Sequence, residues 1–449
     1  MLLLARYVLP VSSPHIEDGG VVVRGSEIVA VGPRADLLAA YPDEEVIDYG
    51  LAALMPGFVD LHTHLEYSVF RGVVDDLPYT RWKMEVQCLE ERLSDEDWAI
   101  SAELGADEAI RSGITTIADV TYSGASLRAT DSAGLRGVIY REVSTMDPAR
   151  AEAEVATALD DMRAWEASLD HDRISIGIAP HGPYTCHPRL FKAVAEAVGE
   201  SDTHVSLHLA GSKDEYDFVK YGSSQLGQDF RTQSGWADEV WMPTGVSPVR
   251  YVYQWGIFDL HNVLAVHCVH VDAEDIAVLA RYDVAIAYCA RCNAKLGMGT
   301  APLGEVLEKG LRVGIGTDSP ASNSTMDFFA EMRTGLLVQR SLRGEKGFFT
   351  AEEFIRLSTI EGARALKLDH LIGSLEPGKR ADIIAVDLSH SYQVPTENPY
   401  SAVVHTSNQE DVLLTMVDGR ILLDRDRSCT TDPEALRVRL QEIRGKIRG

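Results

Sequence analysis

The sequence predicts an α/β protein: a (β/α)8 barrel of the TIM type beside a small β-sandwich domain built from both termini. Eight short apolar runs recur between residues 53 and 320, and amphipathic segments separate most of them. Shorter β patterns stand at both ends of the chain. Eight strand–helix units spread over about 280 residues are what such a barrel requires.

The eight apolar runs are interpreted as the barrel strands, in chain order. They are LMPGFVDLHTH, GITTIADVT, LRGVIYREVS, ISIGIAPHGPYT, HVSLHLAGS, NVLAVHCVHV, VAIAYCARC and RVGIGTDSP. Between them, segments such as DEDWAISAELGADEAIRSG and HPRLFKAVAEAV space their apolar residues three and four apart, which predicts helices. Active sites of this fold gather at the carboxyl ends of the strands, so the polar residues that end these runs are the candidates.

Both ends of the chain predict short strands that pair into one small domain. GVVVRGSEIVAVGP lies near the amino end, and ADIIAVDLS and VLLTMVDGRILL lie near the carboxyl end. We therefore divide the chain into 1–54, the first part of the small β domain, 55–375, the barrel, and 376–449, the second part with a terminal helix. The segment 216–255 is longer than one crossover helix needs and is expected to include a lid.

The amino-acid composition limits which binding partners and which cellular compartment we expect. Forty-two basic against 68 acidic residues give a net charge of -26, which disfavours nucleic acid and anionic membrane surfaces. The start MLLLARYVLP has no basic region ahead of its apolar patch, and no apolar run is long enough to span a bilayer. Six dispersed cysteines fit a reducing compartment. We expect a cytoplasmic homo-oligomer, a dimer or higher, that binds a small molecule.

The ends of the predicted strands carry metal-ligand residue types. His62 and His64 alternate with Thr63, so both imidazoles point to one face of the first strand. Further strands end in His181, His208, His267 and Asp318. A single histidine on an apolar strand is usually a core residue, but five histidines and one aspartate at strand ends predict a shared site. Imidazole and carboxylate ligands suit one divalent metal ion, Zn²⁺ first and Fe²⁺ or Mn²⁺ next.

Motifs along nearly the whole chain resemble the amidohydrolase superfamily, in its aminohydrolase and chlorohydrolase branch. They are PGFVDLHTHLE, GITTIAD, APHGPYT, LHLAGS, LAVHCVHVD, CARCNAKLGMGTAPL, GIGTDSPASN and GSLEPGKRADIIAVD. That branch includes deaminases of adenosine-like nucleosides, of S-adenosylhomocysteine and methylthioadenosine, of aminofutalosine and of guanine, together with triazine hydrolases. The resemblance implies a metal-dependent hydrolase.

The resemblance also implies a role for each candidate residue. The metal ligands would be His62, His64, His208 and Asp318. Asp318 would also accept a proton from the attacking water, and His267 would hydrogen-bond that water or the group under attack. His181 would contact the substrate. Glu66 and Arg71 resemble positions that line the substrate pocket, with a solvated loop charge as the alternative for each.

One position departs from the pattern of the branch. Its deaminases usually carry a glutamate three residues after the third metal-binding histidine, where this chain has Gly211. That glutamate moves a proton from the water to the ring and to the departing ammonia. Glu215 is a candidate replacement if a helix begins after Ala210, with a charge on the helix face as the alternative. A further alternative is that Asp318 moves the proton alone.

These observations predict a hydrolase of C–N bonds that deaminates an amino-substituted heterocycle or an adenine-type nucleoside. The second hypothesis is hydrolysis of an amide or urea, or displacement of a halide, with Asp318 as the proton carrier. A third hypothesis, from another class, is a barrel that keeps its metal but serves as a non-catalytic binding protein.

Overall fold

A computed structural model describes residues 1–449 except 170, 346, 426, 429–432 and 449. Its strands are β1 (Leu2–Val8), β2 (Ile16–Arg24), β3 (Glu27–Pro33), β4 (Val46–Asp48), β5 (Ala52–Pro56), β6 (Phe58–Thr63), β7 (Ile114–Thr121), β8 (Arg136–Val143), β9 (Ile174–Pro180), β10 (His204–Leu209), β11 (Asn262–His267), β12 (Ala285–Tyr288), β13 (Val313–Ile315), β14 (Ile383–Asp387), β15 (Val412–Val417), β16 (Arg420–Asp424) and β17 (Arg427–Ser428).

The α-helices lie between and around these strands. They are α1 (Arg34–Ala40), α2 (Tyr79–Glu90), α3 (Asp95–Arg111), α4 (Ala125–Ala133), α5 (Ala151–Ser168), α6 (Pro188–Val198), α7 (Lys213–Tyr221), α8 (Arg231–Gln233), α9 (Pro248–Tyr253), α10 (Ala273–Arg281), α11 (Ala290–Lys295), α12 (Leu303–Glu308), α13 (Pro320–Asn323), α14 (Phe328–Arg343), α15 (Ala351–Ser358), α16 (Ile360–Ala365), α17 (Pro399–Thr406) and α18 (Pro433–Arg448). None of the described helices is long and apolar enough to cross a membrane.

The eight predicted barrel strands are confirmed as β6 to β13. Each pairs in parallel with the next in chain order, from β6 at one end of the sheet to β13 at the other. Every residue of β6 and β7 is buried, because helices cover the outside of the sheet and side chains fill its inside. The first and last strands meet just past β13, where the amide of Asp318 donates to the carbonyl of His62 at 2.7 Å.

A buried aspartate stabilises the contact between the first and last strands of the barrel. Asp60, in the middle of β6, accepts hydrogen bonds from the amide of Thr317 at 3.0 Å, from the Thr317 hydroxyl at 2.5 Å and from the amide of His62 at 3.2 Å. Burial raises the pKa of Asp60 to about 7, against the effect of these hydrogen bonds. The contacts hold the strand that carries the first histidine against the segment that carries Asp318.

The small β domain built from both termini is also confirmed. Its strands form one sheet in which β5 pairs antiparallel with β14, so that Met55 lies opposite Ile384. The predicted division after residue 54 falls inside β5, which runs almost directly into β6. The predicted terminal helix is α18, and Lys446 on it bonds to Asp97 of α3 at 2.7 Å. Five cysteines lie in the described part as free thiols, and Cys429 lies outside it.

A buried ion pair joins the small sheet to the barrel. Arg136, the first residue of β8, donates to Asp382 at 2.7 Å and to Asp418 at 2.6 Å. The side chains of Arg136 and Asp382 are only 4% and 2% exposed. Removing Asp382 would leave the buried guanidinium of Arg136 with only the partly exposed Asp418 to balance its charge.

We therefore expect Asp382→Ala to lower the free energy of unfolding by about 3 to 5 kcal/mol. Urea denaturation followed by circular dichroism measures the change. Asp160→Ala is the matched control, because Asp160 pairs with Arg163 on the exposed surface of α5, where an ion pair contributes about 0 to 1 kcal/mol. Equal effects of the two substitutions would contradict the role assigned to the buried pair.

Candidate active site

Three histidines form a buried cluster at the carboxyl end of the barrel. His62, His64 and His208 each offer one ring nitrogen, and these atoms lie within 4.8 Å of one another. His62 is fully buried, yet neither of its ring nitrogens has a protein hydrogen-bond partner. A buried polar atom without a partner is costly, so this arrangement indicates that a ligand completes the cluster.

Backbone carbonyls orient two of these rings. The Nδ1 of His64 lies 3.1 Å from the carbonyl of Val120, and the Nδ1 of His208 lies 2.8 Å from the carbonyl of His181. A carbonyl only accepts, so each Nδ1 carries the proton and donates, and each Nε2 keeps a free lone pair. Hydrogen bonds of this kind are typical partners of metal-binding histidines.

The charge state of the cluster suits a divalent cation. Burial, followed by the neighbouring histidines, lowers the pKa values of His62 and His64 well below their ordinary range. Burial lowers the pKa of His208 to about 4. Neutral imidazoles are the ligand form that a metal ion needs. The buried donor set therefore fits a divalent metal ion.

Asp318 lies between the cluster and His267. One carboxylate oxygen is 3.9 Å from the Nε2 of His62, and the other is 3.9 Å from the Nε2 of His267. The amide of Ser319 donates to Asp318 at 2.6 Å, and burial raises the pKa of the carboxyl group. Asp318 and His267 both adopt positive φ angles, 59° and 76°, which are strained for these residue types. Such strain is common at functional sites, and here it turns both side chains towards the mouth of the barrel.

His267 and His181 are held as neutral rings. The Nδ1 of His267 donates to the side-chain oxygen of Asn293 at 2.9 Å, and burial lowers the pKa of His267 to about 3. The Nδ1 of His181 lies 2.8 Å from the hydroxyl of Thr185, which itself donates to the carbonyl of Gly182. In both rings Nε2 is left as a hydrogen-bond acceptor.

Two connected cavities lead to these residues. The inner cavity, about 40 Å³, is lined by Asp318 and four histidines, and α2 covers it with Tyr79, Trp82 and Lys83. The outer cavity, about 410 Å³, shares Tyr67, Lys83, Glu142 and His181 with the inner one. At this volume the inner cavity has room for a few water molecules but not for a heterocycle. A substrate must therefore bind largely in the outer cavity or displace α2.

The segment predicted to form a lid, 216–255, contacts α2, the helix that covers the inner cavity. Residues 216–255 contain the end of α7, a π-helical turn at Leu226–Phe230, α8 and α9. The side chain of Gln233 donates to the carbonyl of Met84 on α2 at 2.8 Å. The amide of Tyr79, at the start of α2, donates to the carbonyl of Leu296 at 3.1 Å. The segment thus supports the helix that closes the inner cavity.

The structure places Glu66 and Arg71 outside the inner cavity. Glu66 lines the outer cavity and accepts hydrogen bonds from the hydroxyls of Thr121 and Ser123, both at 2.6 Å. Arg71 pairs with Glu108 and lines a separate groove of about 600 Å³ beside α18. Neither side chain joins the histidine cluster.

Helix α7 begins at Lys213, so the chain does form a helix after Ala210, the condition under which Glu215 was a candidate. The buried carboxylate of Glu215 turns back and accepts the amides of Ala210 at 2.7 Å and Gly211 at 2.9 Å. Burial raises the pKa of Glu215 to about 7. The side chain is absent from the lining of the inner cavity, so its contacts stabilise the turn that follows His208.

Gly211 itself faces the site. A Cβ atom built on it lies 3.1 Å from the Cδ2 of His267 and 2.9 Å from the terminal methyl of Met298. A longer side chain at this position would therefore enter the space beside His267. The glycine lies outside the positive-φ region, so its backbone conformation is open to other residues.

Sequence reasoning missed Lys83 and Glu142. Glu142 is the next-to-last residue of β8, the third predicted strand, so the strand-end rule that selected the histidines applied to it as well. Lys83 had no such signal, because it lies within α2 and reaches the cavity only through the packing of that helix. Both line the inner and the outer cavity.

Comparison with known proteins places this site in a family. The family model described as "Amidohydrolase family" matches residues 53–422, and one described as "Imidazolonepropionase-like composite domain, bacteria" matches residues 19–43. The chain is 33% identical over 432 residues to a 5-methylthioadenosine/S-adenosylhomocysteine deaminase of Moorella thermoacetica, which covers 96% of this chain and 95% of that protein.

Two further proteins are similar over almost their full length. A 5'-deoxyadenosine deaminase of Methanothermobacter thermautotrophicus is 33% identical over 419 residues, with 92% of each chain covered. The crystal structure of an adenosine deaminase from Xanthomonas campestris with bound zinc superposes with a TM-score of 0.86 at 26% identity, covering 100% of this chain and 98% of that one. With a family match that spans most of its length and the metal-type histidine cluster of its barrel, the chain belongs to the amidohydrolase family.

Proposed function

We propose that this protein is a deaminase of adenine-type nucleosides, which hydrolyses the bond between a ring carbon and its exocyclic nitrogen. The observation that carries the proposal is the buried cluster of three neutral imidazoles beside Asp318. The cluster occurs in a chain that is 33% identical over 96% of its length to a protein named as a deaminase of two such nucleosides.

The proposed metal ligands are His62, His64, His208 and Asp318, and the proposed ion is Zn²⁺. Such an ion supplies Lewis-acid chemistry that lowers the pKa of water from 15.7 towards about 7. Asp318 accepts the proton of the attacking water, because its carboxylate lines the inner cavity beside the Nε2 atoms of His62 and His267. His267, with Nε2 free, accepts a hydrogen bond from the water or from the exocyclic amino group that leaves.

His181 contacts the substrate at the junction of the two cavities. Its Nδ1 is engaged by Thr185, so its Nε2 accepts a hydrogen bond from the exocyclic amino group or from a sugar hydroxyl. The helix α2 excludes bulk water, since Tyr79 and Trp82 close the inner cavity above the cluster. Exclusion of water strengthens each of these polar contacts.

The glycine at position 211 favours a second candidate function. Without a carboxylate there, Asp318 alone would move the proton, and such a site suits a leaving group that needs little ring protonation. Hydrolysis of an amide or urea, or displacement of a halide from a triazine, is the corresponding reaction. Glu215 remains the other proposed proton carrier, although its carboxylate is engaged by two backbone amides.

Release of ammonia separates these functions. Metal-loaded protein is incubated with adenosine, 5'-deoxyadenosine, methylthioadenosine and S-adenosylhomocysteine, and with a second panel of aryl ureas, anilides and chlorotriazines. Ammonia from the first panel is expected. Turnover of the second panel only would replace deamination by the second function. Bound metal without turnover of either panel would indicate a non-catalytic barrel, and light scattering on the same sample tests the predicted homo-oligomer.

A further inference from the structure

A groove of about 600 Å³ lies beside α18 and shares no lining residue with the two cavities of the active site. Four arginines line it, one from the turn after β6 and three from α18: Arg71, Arg437, Arg444 and Arg448. Among the residues that the structure describes, no acidic side chain lines it. This concentration of positive charge stands out in a chain whose net charge is -26.

The three arginines of α18 lie on one face of the helix. Arg437 and Arg444 are about two turns apart, and Arg448 lies about one turn further on. The adjacent face carries the buried Ile443 and Ile447, which fix the helix against the barrel. Attraction to the carboxyl end of a helix accounts for Arg448 but not for Arg437, which lies near the start of α18. The helix therefore presents its arginines to the groove.

Two of these charges are not neutralised within the described part of the chain. Arg444 donates to the backbone carbonyl of Arg71 at 3.4 Å, and Arg448 is exposed. Neither guanidinium has a carboxylate oxygen within 4.0 Å. Arg71 pairs with Glu108, yet its Nε is buried without a hydrogen-bond partner. The wall of the groove thus keeps positive charge and an unsatisfied donor, both of which a bound anion would stabilise.

Apolar side chains complete the groove. Val69, Leu104 on α3 and Leu440 on α18 line it together with the arginines. Its volume falls in the range of small-molecule sites, about 300 to 1,000 Å³, in which apolar walls carry a few polar groups. A guanidinium group matches the geometry of a phosphate with two parallel hydrogen bonds. The groove therefore suits a compact ligand that combines clustered negative charge with a flat ring.

We propose that this groove binds a nucleotide, with the phosphate groups on the arginines and the base against the apolar side chains. The net charge of -26 disfavours a long nucleic acid, whereas a compact anion meets mainly the local positive charge. Since the groove is separate from the histidine cluster, the inference does not depend on deamination.

Uridine diphosphate is the probe, because its base has no exocyclic amino group and so cannot be deaminated. Calorimetry on the metal-loaded protein gives Kd for uridine diphosphate, uridine and pyrophosphate. Uridine diphosphate should bind at least about 100-fold more tightly than uridine, since each hydrogen bond between charged groups contributes about 10-fold or more. It should also bind more tightly than pyrophosphate, which lacks the base. Added potassium chloride should weaken the binding.

Four variants locate the site. Arg444→Met and Arg448→Met should each raise the Kd for uridine diphosphate about 10-fold, and Arg444→Lys should restore part of the loss. Arg163→Met is the matched control, because Arg163 is exposed on α5 and pairs with Asp160. Circular dichroism checks that each variant is folded.

The variant His62→Ala shows whether the diphosphate binds at the metal centre instead. It removes one donor of the histidine cluster and should leave the Kd for uridine diphosphate unchanged. Loss of binding in this variant would overturn the inference, as would equal Kd values for uridine diphosphate and uridine or an unchanged Kd in both arginine-to-methionine variants. Binding of phosphatidylglycerol vesicles without binding of uridine diphosphate would assign the groove to a membrane surface and reject the nucleotide.

Discussion

Replacing Asp318 with asparagine is expected to lower the rate of ammonia release by about 10³-fold. The substitution keeps the size and hydrogen-bonding shape of the side chain but removes its ability to accept a proton. The carboxylate oxygens lie 3.9 Å from the Nε2 atoms of His62 and His267, so the substitution removes the proton acceptor beside both rings. The measurement is ammonia released per bound metal ion, with metal content determined by elemental analysis.

Two further variants are needed to interpret the result for Asp318→Asn. His62→Ala should lose the metal itself, because it removes one of three clustered donors. Asp160→Asn is the matched control, since that aspartate is exposed on α5. Full activity in Asp318→Asn, or full metal content in His62→Ala, would contradict the assignment of these residues.

Installing Gly211→Glu is expected to raise turnover of an adenine-type nucleoside by about 10²-fold, the contribution typical of a positioned acid or base. A Cβ at this position points into the site, 3.1 Å from the Cδ2 of His267. The contact of 2.9 Å with the methyl of Met298 is relieved by rotation of that flexible side chain. The backbone conformation of Gly211 is open to glutamate, and its amide can still donate to Glu215 at 2.9 Å.

The glutamine variant at the same position separates acid chemistry from packing. Gly211→Gln has the same size but carries no proton to transfer, so it should give no gain. The rate is followed by ammonia release, and folding by circular dichroism. A folded Gly211→Glu protein that is slower than the wild type would show that the reaction runs through Asp318 without a second carboxylate. If Glu215→Gln also abolished activity, the proton carrier would instead be Glu215.

The sequence predicts the barrel well because the relevant signal is local. Parallel strands covered on both faces require continuous apolar runs, and all eight such runs became strands β6 to β13. Polar residues at the ends of these runs are placed at the mouth of the barrel. For that reason His62, His64, His208, His267 and Asp318 lie close together in the structure.

The positions of side chains outside the strand ends depend on packing between elements. Glu66 and Arg71 lie within a few residues of His64, yet one is held by hydroxyls of the next strand and the other pairs with Glu108 beside α18. Their directions depend on what packs against the turn after β6. Nearness in the chain therefore did not indicate nearness to the histidine cluster.

The sequence by itself determined the barrel, the small domain from both termini, the ligand types at the strand ends and the glycine at position 211. Only the tertiary structure decided what surrounds them. Asp60 accepts a hydrogen bond from Thr317, Asn293 accepts one from His267, and Lys83 lies in the mouth of the site. Each of these depends on elements that are distant in the chain. The periodicity of a strand or helix specifies which face is buried, whereas the partner on that face is set by packing between elements.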